Sequence, residues 1–203
     1  LRGKDPVTAH VNTIMDYTFY WFKSVADYYD YTGDRDFVRE MWPKMVTLMD
    51  YCLRRTNAQG MAEAQADDWV FVDWVDFPMS KRGTLCFEQI LLWKALQVMA
   101  ACAELLGYDF HDSSHDYREL ATRLLRNIKG TFWSDEQKAF LHAIDDNGQL
   151  SGQVTRFPNM FAILYHLADT EQQRQILDNV LLNPAVNAIT TPYMRFYELA
   201  ALC

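Results

Sequence analysis

Two kinds of helical pattern alternate along this chain, and no other feature of the sequence constrains the fold as much. Four segments are apolar on nearly every side of a helix, and they span residues 11–31, 86–106, 158–168 and 192–203. A helix that is apolar all round is expected to be buried. Three other segments carry apolar residues on one face only, which is typical of surface helices. They span residues 36–54, 115–129 and 171–182.

A ring of buried helices inside a ring of surface helices explains why the two patterns take turns. The sequence therefore predicts an all-α protein made of antiparallel hairpins, an α/α toroid in which each hairpin is a loosely repeated unit. About seven helices are predicted, whereas a ring of six hairpins needs roughly twelve. We therefore expect residues 1–203 to form one partial toroid domain.

Local signals at the helix ends support this division. Gly33 is expected to end a buried helix in the left-handed conformation, and Asp34 is expected to cap the next helix. A capping box is predicted at Thr170 and Gln173. Thr191 and Pro192 are predicted to open the last apolar helix.

The long connections all lead into the buried helices. Residues 57–85 precede the second buried helix, and residues 129–157 precede the third. The second connection contains the sequence DDNG at residues 145–148, which predicts a short β-hairpin. All long links are therefore expected at one end of the ring. They would surround the opening at that end, which we call the mouth.

The composition argues against several classes of partner. Lys and Arg number 19 against 27 Asp and Glu, a formal charge of −8, which disfavours nucleic acid and anionic membrane surfaces. No uninterrupted apolar run reaches about 18 residues, so no membrane span is predicted. The cysteines form no C-x-x-C pair, and free thiols are expected; they are Cys52, Cys86, Cys102 and Cys203.

The sequence DDWVFVDWVDF, residues 67–77, gathers Trp and Asp in a connection of the predicted mouth. In extended form it places Trp69, Phe71 and Asp73 on one side, with Val70, Val72 and Trp74 on the other. Sugars need a flat aromatic platform with hydrogen-bonding carboxylates nearby. Asp73, Trp74 and Asp76 meet that need, but a structural strand that plugs the ring remains an alternative.

Other polar residues stand near the starts of buried helices. Glu88 and Gln89 are expected to point into the mouth, although a first-turn carboxylate also favours the helix dipole. Asn159 and Gln153 precede or open the third buried helix, where capping is the competing role. Trp21 lies among aromatic residues in mid-helix, and its spacing alone predicts a core position.

No metal or cofactor site is predicted. His111 and His115 have a spacing that can hold a metal on a helix, but no third ligand is near them in the sequence. There is no glycine-rich phosphate loop and no G-x-S-x-G sequence.

Several segments together resemble a known family. The run YYDYTGDRDFV, then WPKMVTLMDYCLRR, DDWVFVDW, ALQVMAACAELLG and TPYMRFYELAAL is similar to the catalytic domain of inverting α-L-rhamnosidases of glycoside hydrolase family 78. The resemblance implies an (α/α)6 toroid. It also implies that Trp74 forms a wall of the rhamnose pocket with Asp73 beside it, and that Trp21 faces the sugar.

The same resemblance implies that the catalytic acid and base lie outside this chain. The family's general acid belongs to an R-E-x-x-G-W-x-G-D motif that this sequence does not contain, and the general base follows the T-P-Y helix further downstream. We therefore expect a middle part of the catalytic domain, inactive by itself, from a secreted or periplasmic parent enzyme. Two other hypotheses stay open: another toroid hydrolase, such as a glucoamylase-like or unsaturated-uronide hydrolase, and a helical-repeat binding module without catalysis.

Overall fold

A computed structural model describes residues 14–64, 68, 70–108 and 115–203. Seven α-helices occur in these residues: α1 (Met15–Thr32), α2 (Arg35–Leu53), α3 (Cys86–Leu106), α4 (Tyr117–Phe132), α5 (Arg156–Leu164), α6 (Thr170–Ile176) and α7 (Pro192–Leu202). A π-helical turn, Leu177–Leu181, continues α6. Four two-residue strands accompany them: β1 (Thr84–Leu85), β2 (Trp133–Ser134), β3 (Ala139–Phe140) and β4 (Ala143–Ile144).

The inner and outer layers follow the predicted alternation. Among the inner helices α1 packs on α3, α3 on α5, and α5 on α7, while α2, α4 and α6 pack outside them. Tyrosines fill the centre of the arrangement, where Tyr20 of α1 stacks on Tyr197 of α7 at 5.4 Å between ring centroids. The predicted incomplete α/α toroid is confirmed.

Helix α3 is the centre of the core. By length and composition alone it is apolar enough to cross a membrane, and within the described residues it is the one helix of which this is true. In this fold it is instead packed against α1, α2, α4 and α5. Its apolar character on every side is therefore explained by neighbours on every side.

The expectation that the inner helices are largely buried is wrong for the first and the last of them. In α7 only Met194 and Glu198 are buried, and Phe196 keeps 67% of its surface exposed. In α1 the side chain of Tyr31 is 92% exposed. These helices stand at the two ends of the row of inner helices. Apart from ring contacts with each other, such as that of Tyr20 with Tyr197, each packs closely on one inner helix among the described residues.

The two long links meet, as predicted, beside the starts of α3 and α5. Strand β1 of the first link pairs antiparallel with β4 of the second, with Thr84 opposite Ile144. Gly83 is required there because an added Cβ atom would lie 2.1 Å from the carbonyl oxygen of Ile144. The predicted turn is also present, since the Asp145 carboxylate accepts hydrogen bonds from the amides of Asn147 and Gln149 at 2.9 Å.

The helix ends agree with the predictions at two places and differ at one. Gly33 adopts a φ of 68° at the end of α1, and the Asp34 carboxylate accepts from the Phe37 amide at 2.9 Å. The capping box before α6 is formed by Asp169 and Gln172, one residue earlier than predicted. Asp169 takes the role because Thr170 is already the first helical residue of α6.

Two buried amide side chains fasten inner helices to the preceding links, and we call them amide latches. Gln89 of α3 accepts from the Ala62 amide at 2.7 Å and donates to the carbonyl oxygens of Ala62 and Leu85 at 3.0 Å. Asn159 of α5 makes the same three bonds with Phe140 and Thr155. Both residues are the fourth in their helix, so the latch repeats with the hairpin.

Candidate functional site at the mouth

The segment around Asp73 is irregular, so the extended alternation expected for it is wrong. Val72 has a φ of +52°, a conformation that a β-branched residue rarely adopts. This turn of the backbone buries Val70, Phe71, Val72 and Asp73 together. It leaves the next side chain, that of Trp74, 68% exposed. Trp69 and Asp67 lie outside the described residues.

Asp73 is held from several sides. Its carboxylate is 1% exposed and accepts from the Thr191 hydroxyl at 2.7 and 2.8 Å. It also accepts from the Trp74 amide at 2.8 Å. Burial raises the pKa of Asp73, while the hydrogen bonds from Thr191 and Trp74 and the charge of Lys81 lower it in part. Asp73 is therefore an anchor within the mouth rather than an open acceptor for a ligand.

Lys81 places a positive charge beside this anchor. Its ammonium group donates to the backbone carbonyl of Asp73 at 2.8 Å and lies 5.7 Å from the centre of the Phe71 ring. Burial lowers the pKa of Lys81, and the charges of Asp73 and Asp16 raise it in part. The sequence analysis did not single out Lys81, because a lone Lys in a loop carries no spacing signal.

Aromatic side chains surround the exposed Trp74. Phe71 meets the Trp74 ring edge-on at 5.4 Å between centroids, and Tyr17 of α1 lies 6.1 Å from Phe71. Tyr17 also meets Tyr193 of α7 at 6.2 Å. Trp21 follows Tyr17 by one helical turn on the same side of α1 and is partly buried, with an edge-on contact to Phe22 at 5.5 Å.

Two carboxyl groups are buried below the mouth. Asp16 is 0% exposed, and within the described part of the chain neither of its carboxylate oxygens has a hydrogen-bond partner. Burial raises its pKa to about 6, and the nearby backbone amides of Asp16 and Tyr17 lower it only in part. Glu88 is 1% exposed, and burial together with the charge of Asp16 raises its pKa to about 8. Glu88 is therefore enclosed rather than open to the mouth as expected.

The remaining predicted residues differ in their surroundings. Asp76 is exposed. Asn159 is 0% exposed and uses its carbonyl oxygen and both amide hydrogens on backbone groups. Because Asn159 is enclosed and bonded to the backbone, its surroundings do not support the predicted contact with a sugar.

A buried histidine that the sequence analysis missed joins the two long links. His142 is 0% exposed, with Nε2 2.7 Å from the Ser80 carbonyl oxygen and Nδ1 3.1 Å from the Thr155 hydroxyl. Burial lowers its pKa. His142 therefore fixes the loop that carries Lys81 against the start of α5.

The metal hypothesis gains no support from the described residues, in which no three His, Cys, Asp or Glu side chains are grouped to hold a metal ion. His115 instead lies with Nε2 2.8 Å from an Asp50 carboxylate oxygen, and His111 lies outside the described residues. Cys52, Cys86 and Cys102 are buried free thiols, and Cys203 is an exposed one.

A groove between α1 and α3 is separate from the mouth. Its volume is about 400 Å³, and residues such as Lys23, Asp30, Lys94 and Cys102 line it. These residues lie between the middle and the end of both helices, whereas Asp16 and Glu88 lie in the first turns.

Inner helices packed side by side, outer helices around them and a mouth built from the long links define the chain as part of an α/α toroid of the six-hairpin glycosidase class. The chain belongs to the bacterial α-L-rhamnosidase six-hairpin glycosidase domain family, whose model matches residues 6–187.

Two solved structures are similar over nearly the whole chain. One is a family 78 rhamnosidase of Bacillus sp. GL1, with a TM-score of 0.83 and 24% identity over 94% of this chain. The other is a rhamnosidase from Klebsiella oxytoca with rhamnose bound, with a TM-score of 0.75 and 25% identity over 93% of this chain. The chain spans 20% and 34% of the length of those two chains. A search of curated proteins finds no match.

Proposed function

We propose that this chain forms part of the sugar pocket in an α-L-rhamnosidase that removes terminal rhamnose from plant or microbial glycans and glycosides. The observation that carries the proposal is Trp74, a 68% exposed indole beside the buried, hydrogen-bonded Asp73 at the mouth of the toroid. An exposed indole of this kind suits the apolar face of a sugar ring. The similar Klebsiella oxytoca enzyme, whose structure holds rhamnose, supports the choice of sugar.

In this proposal Trp74 and Trp21 are walls of one pocket. Tyr17 supports the arrangement because it shares a helix side with Trp21 and contacts Phe71, which in turn contacts Trp74. Asp76 is a further candidate because it is exposed two residues after Trp74. Asp73 and Lys81 hold the segment in place.

We propose an inverting reaction for the complete enzyme. One carboxyl group protonates the glycosidic oxygen and another activates a water molecule, across a separation of roughly 6.5–9.5 Å that admits the water. Two buried carboxylates of the described residues are already engaged. Asp73 is anchored to Thr191, and Glu198 is 0% exposed and ion-paired with Arg156 at 2.7 Å. The acid and base then come from other parts of the parent enzyme, whose expected location is the periplasm or the extracellular space.

The proposed role of Trp74 as a platform for the sugar ring is tested by replacing it with Ala in the parent enzyme. Loss of the aromatic contact is expected to weaken L-rhamnose binding by about 1–3 kcal/mol, measured by calorimetry. The matched control is Tyr31→Ala, which removes another exposed ring at the far end of α1 and should leave binding unchanged. Equal affinities for Trp74→Ala and the unmodified enzyme would exclude Trp74 from the pocket.

The assignment of catalysis to other regions is tested with this chain alone. Losing a general acid or base typically lowers the rate by ~10²–10⁴-fold, so a chain without either should not turn over an aryl α-L-rhamnoside at high protein concentration. Turnover above buffer that disappears in Glu88→Gln or Asp73→Asn would show that the catalytic groups lie within these residues.

A further inference from the structure

We propose that Thr191 is a positioning residue for the sugar platform, acting through Asp73 on Trp74. This inference rests on the proposed function of Trp74 and assigns a role to a residue that touches no sugar. Thr191 lies 118 residues from Asp73 in the sequence, so the bond between them joins the start of α7 to the first long link.

The geometry gives the Thr191 hydroxyl two tasks at once. As the N-cap of α7 it accepts from the Met194 amide at 3.3 Å. As a donor it points at the Asp73 carboxylate, with both oxygens within 2.8 Å. The same carboxylate accepts from the Trp74 amide at 2.8 Å, so a chain of hydrogen bonds leads from α7 to the backbone of the platform residue.

The segment needs such an anchor because its backbone is strained. Val72 holds a φ of +52°, and a residue in such a sparsely populated region keeps that conformation only where surrounding contacts hold it. Asp73 adds a desolvated carboxylate with a raised pKa. The charge-assisted bond from Thr191 acts against both costs, since hydrogen bonds to charged groups are stronger than neutral ones.

Trp74 itself has little packing to fix its orientation. Most of its surface is exposed, so the indole direction is set mainly by its backbone and by the edge contact with Phe71. Releasing Asp73 should therefore let the indole sample several orientations. An indole that must be ordered when the sugar binds gives a lower affinity for the sugar than one that is already in place.

Three substitutions separate positioning from helix capping. Thr191→Val keeps the shape but removes both donor and cap, whereas Thr191→Ser keeps both. Thr191→Asp keeps a good N-cap but has no donor and sets a second carboxylate against Asp73. If Thr191 only capped α7, Thr191→Asp would behave like the unmodified protein. Positioning instead predicts that Thr191→Asp and Thr191→Val are both defective and that Thr191→Ser is not.

The first readout does not depend on sugar binding. The full chain is labelled with 5-fluorotryptophan, and the ¹⁹F resonance of Trp74 is assigned by its absence in Trp74→Phe. We expect one sharp line for the unmodified chain and Thr191→Ser, and a broadened or split line for Thr191→Asp and Thr191→Val. An unchanged Trp74 line in Thr191→Asp would overturn the inference. If Thr191→Val does not fold, the comparison of Thr191→Asp with the unmodified chain still tests the inference.

The second readout uses the parent enzyme and a rhamnoside substrate. Thr191→Asp is expected to raise KM roughly tenfold with little change in kcat, the size of one lost charge-assisted bond. In a Trp74→Ala background the same substitution should change KM little, because the platform it positions is gone. An equal KM increase in both backgrounds would overturn the inference. If Trp74→Ala leaves KM unchanged while the ¹⁹F line of Trp74 still responds to Thr191→Asp, the pocket proposal fails and the positioning role stands.

Discussion

At the residue scale, the buried carboxyl of Asp16 is the least satisfied group of the described residues near the mouth. It is enclosed, and none of the residues that the structure describes offers a hydrogen bond to either of its oxygens. Lys81 lowers its pKa only slightly relative to the effect of burial. Glu88 is enclosed nearby, and the charge of Asp16 adds to the effect of burial in raising the pKa of Glu88. Ionising either of them therefore destabilises the folded chain.

This gives a prediction about pH. A carboxyl whose folded pKa is raised contributes stability that is present at low pH and is lost as the pH rises through the folded pKa. For Asp16 that window runs from 3.8 to about 6, and for Glu88 from 4.5 to about 8. The free energy of unfolding, measured in urea, should therefore fall as the pH rises from 4 to 8.

Asp16→Asn should remove the Asp16 part of that loss, on the order of 1–3 kcal/mol between pH 4 and 8. Urea unfolding at both pH values measures it. The control is Asp30→Asn, an exposed position of the same helix, which should keep the original pH dependence. If Asp16→Asn also keeps it, Asp16 is not the ionising group.

At the scale of elements, the amide latches explain how each long link is held to the inner helix that follows it. The latch residue is fourth in its helix in both α3 and α5. Its side-chain amide bonds to both the N–H and the C=O of one backbone residue, as a neighbouring strand would in a β-sheet. The mouth is thus built on a polar contact that repeats from hairpin to hairpin.

Replacing Gln89 with Met should lower the free energy of unfolding by about 2–4 kcal/mol, because the buried N–H and C=O of Ala62 each lose a partner at roughly 1–3 kcal/mol. Gln97→Met is the matched control, since Gln97 lies on the same helix and is only partly buried. Chemical unfolding at neutral pH compares the two. Equal losses for both variants would show that the latch adds nothing beyond helix packing.

At the scale of the whole molecule, the described residues leave one apolar edge uncovered. On α7 the exposed fractions are 67% for Phe196, 49% for Leu199 and 38% for Leu202. Contiguous apolar surface of this kind favours association. The buried ion pair of Glu198 with Arg156 holds α7 to α5 and thereby fixes which side of α7 stays outside.

The isolated chain should consequently self-associate as its concentration rises. The double substitution Phe196→Ser with Leu199→Ser removes most of that apolar surface, so it should shift sedimentation velocity profiles toward monomer. Tyr31→Ser removes a single exposed ring of α1 and serves as the control. A monomer at all concentrations in the unmodified chain would contradict this prediction.

The sequence by itself determined the alternation of inner and outer helices, the stop at Gly33, the cap at Asp34 and the turn at Asp145. These are local properties, in which a residue's periodicity or backbone preference acts within a few positions of the chain. The resemblance to a family added the order of the segments and drew attention to Asp73 and Trp74.

Only the tertiary structure decided how the mouth is assembled. The positive φ of Val72 is one that no local preference would choose for a β-branched residue, and contacts from distant parts of the chain hold it. The Thr191 hydroxyl reaches Asp73 across 118 residues, and Asn159 bonds to Phe140 from 19 residues away. The uncovered edge of α7 likewise depends on which helices stand beside it. Hydrogen bonds and burial between residues far apart in the chain follow from how the helices pack, and the periodicity of the sequence does not specify that packing.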